Sequence, residues 1–502
     1  MRDRMHHRKL LSSCLAALLA GGVACGSQTN PGTGGGGATG GATSMGGEGG
    51  APTGVGAGGM GGAGGSLPAE RCATAEVIPG TSVKSAMVSF DQPGDRFYGK
   101  LSATAGSWLA IYGKPLLLKT DIVIRLWSED GTELLASSDN FLPAFAPAYD
   151  GTMNHYVAET RNYCVEVLDY ADWRGMPELG GIYSFELRAR SVEDFWGVSQ
   201  DVVRLDEGDN DTVATAQDLM IDPVTALAVI LGTFDSEDDV DVYTLKGGIV
   251  DPDFQWRSFS ISPTGKGSAT SQGWGSTSDV SMTLLAPDGV TVVARRSASD
   301  ENVACNFAPD SCFGILVPEV EGQDYILVVE RKGGSLAPDD AYSIFSGQVG
   351  VPVTASEPLD DGSNDSLVNA EVLAPLVLDN EPSYLFEGTL DDGDVDWWYV
   401  PTSEPDETLR LWCGSSYFGT GIEGLTLDAY KDDATDGAPV QSETETAQRR
   451  IHWWGAHAKG TSLLPPLPGG TGYYFKLSSS SFSSIVTSRH YYCQIIHHST
   501  AN

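Results

Sequence analysis

The sequence predicts an all-β protein: three tandem β-sandwich domains of jelly-roll type, following a signal peptide and a disordered Gly-rich tether. Two internal repeats and a change of composition predict it. The first repeat joins an acidic turn, LDEGDNDTVATAQDL (Leu205–Leu219), to LGTFDSEDDVDVYTL (Leu231–Leu245). The chain restates both parts as LDDGSNDSLVNAEVL (Leu359–Leu373) and FEGTLDDGDVDWWYV (Phe386–Val400). The second repeat is a hairpin. DIVIRLWSEDGTELLA (Asp121–Ala136) and DVSMTLLAPDGVTVVA (Asp279–Ala294) each read as strand, Asp-Gly turn, strand. Self-similarity at a fixed distance marks copies of one unit.

Residues 1–24 carry the charged, apolar and small-residue order of a secretory signal: Arg2, Arg4, Arg8 and Lys9, then Leu10–Ala20, then Gly22 and Ala24. Gly22-Val23-Ala24-Cys25 resembles a bacterial lipobox, with Gly22 where an aliphatic is usual, and Cys25 is the expected lipidation site. Residues 25–68 form the tether. Its Gly-rich Pro31–Ser66 holds almost nothing apolar enough to offset ordering entropy. As a flexible coil it would span about 30–36 Å.

The first domain is placed at 69–192, the second at 204–350 and the third at 352–498. The third keeps only an outline of the hairpin, in Leu425–Gly437. Each domain has a Tyr-led strand (Tyr163, Tyr325, Tyr473) and a last strand beginning near Tyr183, Tyr342 or Tyr491. Helical periodicity is nearly absent, with Thr212–Leu219 the best short candidate. Beyond Cys14 and Cys25 there are six cysteines, two in each domain. Six allow 15 pairings. Containment within domains and an oxidising destination select Cys72–Cys164, Cys305–Cys312 and Cys413–Cys493.

A formal charge of −37, from 30 basic and 67 acidic residues, leaves no basic footprint for nucleic acid and disfavours an anionic membrane surface. Membrane association is expected only through a lipid anchor. The carboxylate excess fits solubility, or calcium, because hard cations take oxygen ligands.

The repeated stretch resembles the bacterial pre-peptidase C-terminal (PPC) domain, a β-sandwich appended to many secreted peptidases and other exported proteins. The second domain carries the pattern in Asn210-Asp211-Thr212, Ala216, Gly232, Asp239–Tyr243, Asp279, Asp288-Gly289 and Tyr325. The third carries Asn364-Asp365, Ala370, Gly388 and Asp394–Asp396, with Trp398 where Tyr is expected. The first shows only the later half. The resemblance implies calcium ligands at Asp206, Asn210, Asp211, Asp238 and Asp241, and at Asp360, Asn364, Asp365 and Asp396. Gly208 and Gly362 stand where a further Glu is usual, and Gly393 leaves Asp238 without a counterpart.

No G-x-S-x-G, H-E-x-x-H or P-loop motif is present, so a non-enzymatic protein is expected. His452, His457, His490, His497 and His498 read as surface histidines. Strand alternation sends Trp397 and Trp398, and likewise Trp453 and Trp454, to opposite faces, so one ring of each pair can be exposed. The expected function is that of a cell-surface or outer-membrane lipoprotein, otherwise a secreted protein, binding extracellular polymer or protein. The alternatives are an accessory or unrecognised secreted hydrolase and a structural spacer.

Overall fold

The computed structural model describes residues 68–499 except 117–120, 139–149, 174, 193–202, 207, 220–226, 247–255, 262–274, 277–279, 298–313, 319–322, 333–335, 350–354, 358–363, 379–380, 402–403, 406, 417–418, 434–436, 447–450 and 454–463. The signal peptide, Cys25, the tether, Asp360, Trp454, His457 and the Cys305–Cys312 pair lie outside the described residues.

Among the described residues regular structure is almost all strand, and each domain region sets one sheet against another. Three of these sheets share one strand order. In the second domain it runs Gln217–Leu219, Val240–Leu245, Tyr325–Arg331, Val280–Leu285, Val292–Ser297. In the third it runs Glu371–Val372, Val395–Val400, Tyr473–Ser478, Thr426–Lys431, Gln441–Thr444. The first domain repeats it as Glu76–Val77, Arg96–Ala103, Arg161–Asp169, Ile122–Ser128, Leu134–Ser138. In each case the short lead-in strand is parallel to its neighbour and the other pairings are antiparallel. The first domain therefore has the complete strand order, although its sequence shows only the later half of the repeat.

The facing sheets differ more. In the first domain the order is Lys84–Phe90, Tyr183–Ser191, Ser107–Pro115, Asp150–Val157. The second has Val203–Leu205, Leu227–Thr233, Ala341–Val349, Trp256–Ile261, Gly314–Pro318. The third has Ala355–Glu357, Glu381–Thr389, His490–Ser499, Glu407–Gly414, Ile451–Trp453, with two further short strands attached. Period-two alternation fills the space between the sheets, as in Leu409, Leu411 and Cys413 opposite Leu425, Leu427 and Ala429 in the third core.

Both expected hairpins are present, with Gly131 and Gly289 at positive φ (70° and 69°) in their turns. Thr212–Leu219 is not a helix. Thr212 and Thr215 hydrogen-bond each other across a tight turn, and Gln217–Leu219 then pairs with the next strand. Tyr325 and Tyr473 each donate a hydrogen bond of 2.8 Å to an upstream proline carbonyl, Pro318 and Pro468, which fixes the Tyr-led strand at its start. Cys72–Cys164 and Cys413–Cys493 are disulfide-bonded. Cys413 and Cys493 face each other directly on neighbouring strands.

Candidate functional site

Strand register makes the domains comparable position by position. Gln217 pairs with Tyr243, Glu371 with Trp398 and Glu76 with Gly99, so Tyr243, Trp398 and Gly99 occupy one site. Two residues earlier stand Asp241, Asp396 and Phe97.

In the second domain this position anchors a buried polar chain. Gly232 pairs with Tyr342, whose ring lies across the glycine; a Cβ there would sit 2.1 Å from Tyr342 Cζ. Tyr342 donates to Asp241 Oδ2 (2.6 Å), and the Tyr243 hydroxyl lies 2.6 Å from the Tyr342 oxygen. With the Tyr342 proton committed to Asp241, Tyr243 is the donor of that second bond. The amide of Asn210, also buried, faces Asp206 Oδ1 (2.9 Å) and Asp241 Oδ1 (3.2 Å). With nitrogen on that side, Asn210 bridges the two carboxylates. With oxygen on that side, three oxygens converge, and a proton shared by the carboxyls or a cation must lie between them.

Burial pushes the Asp241 carboxyl up to about 8, against the pull of the Tyr342 hydrogen bond, and Asp206 and Asp239 add repulsion. Asp206 is likewise raised, chiefly by burial. Asp239 caps its own turn by accepting from the Asp235 N–H (2.6 Å). Of the five residues expected here, Asp206, Asn210 and Asp241 are brought together, whereas Asp211 and Asp238 are exposed.

The third domain repeats the chain with one substitution. Gly388 pairs with Tyr491, and a Cβ on Gly388 would lie 2.3 Å from the Tyr491 oxygen. Tyr491 donates to Asp396 Oδ2 (2.6 Å), and Trp398 Nε1 donates to Tyr491 (2.9 Å). Asp365, Asp394 and Asp396 bring one carboxylate oxygen each to within 4.8 Å of one another. Asn364 is buried, and neither atom of its amide has a hydrogen-bond partner among the described residues. Its backbone carbonyl accepts from Trp397 N–H (3.0 Å), which holds it beside Asp396. Three carboxylates, next in sequence to an orphaned buried amide, offer oxygen donors of the kind calcium takes. Asp394 was not among the expected ligands. Its signal was the Asp-x-Asp spacing, shared by Asp394 and Asp396 with Asp239 and Asp241.

Among the described residues the first domain has no such chain. Phe97 replaces the aspartate, Gly99 the Tyr or Trp, and Phe90, paired with Tyr183, stands in place of Gly232. The Tyr183 hydroxyl turns instead to Asp169 (2.9 Å).

The outward side of the same sheet differs in every domain. In the third, Trp397 and Tyr399 point out beside Lys476 and Tyr474 of the central strand, with Asp428 and Tyr430 beyond them. The Tyr399 and Tyr474 rings are 4.6 Å apart, and Trp397 and Tyr430 meet at 5.5 Å over that strand. All four rings are half-buried, while Trp398, Trp412 and Trp453 are wholly in the interior. Lys476 Nζ lies 6.0 Å from the Trp397 ring centre. Gly472 lets Tyr399 lie close to the backbone, where a Cβ would be 2.5 Å from its oxygen.

At the equivalent positions the second domain has Val242, Thr244, Val328, Ile326, Thr283 and Leu285. Val242, Leu285 and Ile326 are buried, packed with Ala216, Val240 and Val292. The first domain places Glu166 here. It is fully buried and accepts from Arg96 (2.9 Å), Tyr98 (2.8 Å), Trp127 (2.8 Å) and Arg125 (3.3 Å). Burial, then Glu166, pushes the Tyr98 hydroxyl up to about 12.

Of the expected surface histidines, His452 and His490 are half-buried and His497 lies in the interior. His497 is buried with Nδ1 3.2 Å from Glu407, and burial lowers its pKa against that partner's pull. Burial also brings His490 down to about 4.

No family profile and no curated protein match this chain. Among solved structures it is similar to the tandem CBM51 modules of a family 98 glycoside hydrolase from Streptococcus pneumoniae. That match has 12% identity over 54% of this chain and 83% of that one, with a TM-score of 0.16. A triple jelly-roll protein of an archaeal virus matches at 11% identity over 83% and 88%, TM-score 0.14. The M60 catalytic domain with CBM51 domains from Clostridium perfringens ZmpB matches at 8% over 52% and 34%, TM-score 0.14. At these scores the fold is read from this chain's own sheets.

Proposed function

We propose that this is a non-enzymatic exported protein whose PPC-like sandwich domains bind extracellular polymer or protein, held at the cell surface by a lipid on Cys25. The observation that carries this reading is the third domain's outer sheet face. It leaves four aromatic rings half-exposed where the second domain closes three of the same positions with Val242, Leu285 and Ile326 and has Thr244 at the fourth. Large apolar groups left in contiguous contact with water mark interaction surfaces. Calcium, held by Asp206, Asn210 and Asp241 and by Asn364, Asp365, Asp394 and Asp396, would neutralise carboxylates that otherwise repel one another, and so stiffen the sandwich around its lead-in turn. No helix among the described residues is long and apolar enough to cross a membrane, in keeping with attachment through lipid.

The test is retention of the purified chain, without its signal peptide, on a panel of insoluble polysaccharides and matrix proteins. Retention on at least one, reduced by Trp397→Ala, is the expected result. For the anchor, Cys25→Ala should move the protein from the membrane to the soluble or secreted fraction. Unchanged membrane association would remove the lipid from the proposal.

A further inference from the structure

We infer that the third domain's aromatic face is a site for a neutral polysaccharide, whose sugar rings stack on Trp397, Tyr399, Tyr430 and Tyr474 while Lys476 and Asp428 meet the ring hydroxyls. The inference rests on the binding role proposed above and names its ligand class.

Four features of the face select this occupant. The rings form one continuous patch. Tyr399 stacks near Tyr474, Tyr474 is directly opposite Tyr430, and Tyr430 meets Trp397. Along their strand Trp397 and Tyr399 are two residues apart, about 7 Å. A pyranose has an apolar C–H face and a rim of hydroxyls, which suits rings laid out with polar groups between them. Here those groups are Lys476 and Asp428, paired in register beside Trp397, with Asp432 at the edge of the patch accepting from Tyr399 (3.4 Å) and Thr471 (3.0 Å).

The patch also lies on the three inner strands of a five-stranded sheet. Their backbone groups are already paired to neighbours on both sides, so a peptide cannot be captured here as an added strand. Charge narrows the choice further. One lysine stands among Asp428 and Asp432 in a chain of net charge −37, a field that repels polyanions. Finally, the rings are not needed to finish the sheet. Val242, Thr244, Leu285 and Ile326 complete it in the second domain.

The experiment incubates the full-length mature chain with microcrystalline cellulose, chitin, insoluble xylan and mannan, and with collagen and gelatin beads. Bound protein is measured by depletion, and soluble oligosaccharides of the retained polymer are titrated by tryptophan fluorescence. The expected result is retention on at least one polysaccharide, elution by its oligosaccharide, and persistence in high salt. Trp397→Ala, and separately Tyr399→Ala with Tyr474→Ala, should weaken binding by about tenfold or more, the size expected of central aromatic contacts. Thr244→Ala, at the matching position of the second domain, should leave it unchanged. Circular dichroism establishes that the variants are folded. Retention only on collagen or gelatin, lost in Trp397→Ala, overturns the polysaccharide assignment and leaves the polymer-binding role standing. Retention on a polysaccharide that survives both aromatic variants overturns the face as the site. Retention on nothing overturns both readings.

Discussion

The second and third domains build the same sheet and finish its two sides by different rules. Inside, the match is close to one for one: Gly232 and Gly388 under Tyr342 and Tyr491, Asp241 and Asp396 beneath their hydroxyls, Tyr243 exchanged for Trp398. Each exchange keeps a polar hydrogen aimed at the tyrosine oxygen. Outside, no position is shared: Val242, Thr244, Leu285 and Ile326 face Trp397, Tyr399, Tyr430 and Tyr474. The inner side must satisfy every buried polar atom and fill a fixed volume, so few residue sets serve. The outer side has no such constraint and can carry a function. The first domain shows that even the inner chain can be exchanged as a block, with Phe90, Phe97 and Gly99 replacing it together.

That comparison can be broken most forcefully at Phe90. Phe90→Ala empties a buried ring site, and the first domain should lose about 3–5 kcal/mol, read as a shift of its transition in denaturant. At the matching positions of the other two domains stand Gly232 and Gly388, each under a tyrosine ring. Gly232→Ala and Gly388→Ala should each cost about 1–3 kcal/mol by driving the tyrosine ring off its seat. If Gly232→Ala is neutral, the glycine is not there for the ring.

Calcium sharpens the contrast between the first domain and the other two. Millimolar calcium at constant ionic strength should stabilise the second and third domains by up to about 2.7 kcal/mol at a hundredfold excess over Kd, and the first not at all. Calorimetric transitions of the full chain read this directly. Asp394→Asn should remove the response of the third domain alone. Without calcium, pH should act on the second domain in a defined direction. The folded pKa of Asp241, about 8, lies above its unfolded value of about 4. Stability from the protonated carboxyl is therefore complete below pH 4 and lost as pH rises toward 8. Asp241→Asn should flatten that profile, and calcium should reverse the loss at the upper end. A second domain whose stability rises with pH in chelator would contradict the account of Asp241.

Tyr342→Phe and Tyr491→Phe compare the two polar chains bond for bond. Each leaves a buried carboxyl group without its tyrosine partner and should cost about 1–3 kcal/mol, seen as a lowered Tm of the affected domain. The smallest effect on stability belongs outside. Trp397→Val, which installs the second domain's residue, should change stability by about 1 kcal/mol or less while removing polymer retention.

Much of this architecture was legible in the residues. The Asp-Gly hairpins, the Tyr-led strands and the spacing of the acidic repeat marked sandwich units, because strand alternation and turn chemistry are local properties. The cysteine pairs Cys72–Cys164 and Cys413–Cys493 followed from having two per domain, and both are formed. Asn210, Gly232 and Asp241 stood out as a repeated set, although the reason, a tyrosine lying over a glycine to reach a carboxylate, was not visible.

Tertiary structure decided the rest. The lead-in strand of the first domain has only two residues and pairs with a strand about twenty positions on, a nonlocal contact without a sequence period of its own. Asp394 joins the carboxylate cluster because the turn before its strand carries it back toward Asp365, whereas Asp238 at the second domain's turn remains exposed. Alternation placed Trp397 and Trp398 on opposite faces, but only the facing sheet determines which side is interior. Packing took Trp398 into the core, where its N–H finds Tyr491, and left Trp397 on the open face with Tyr430. The pattern along a strand is set by the pleat, and the choice of side by what the other sheet covers.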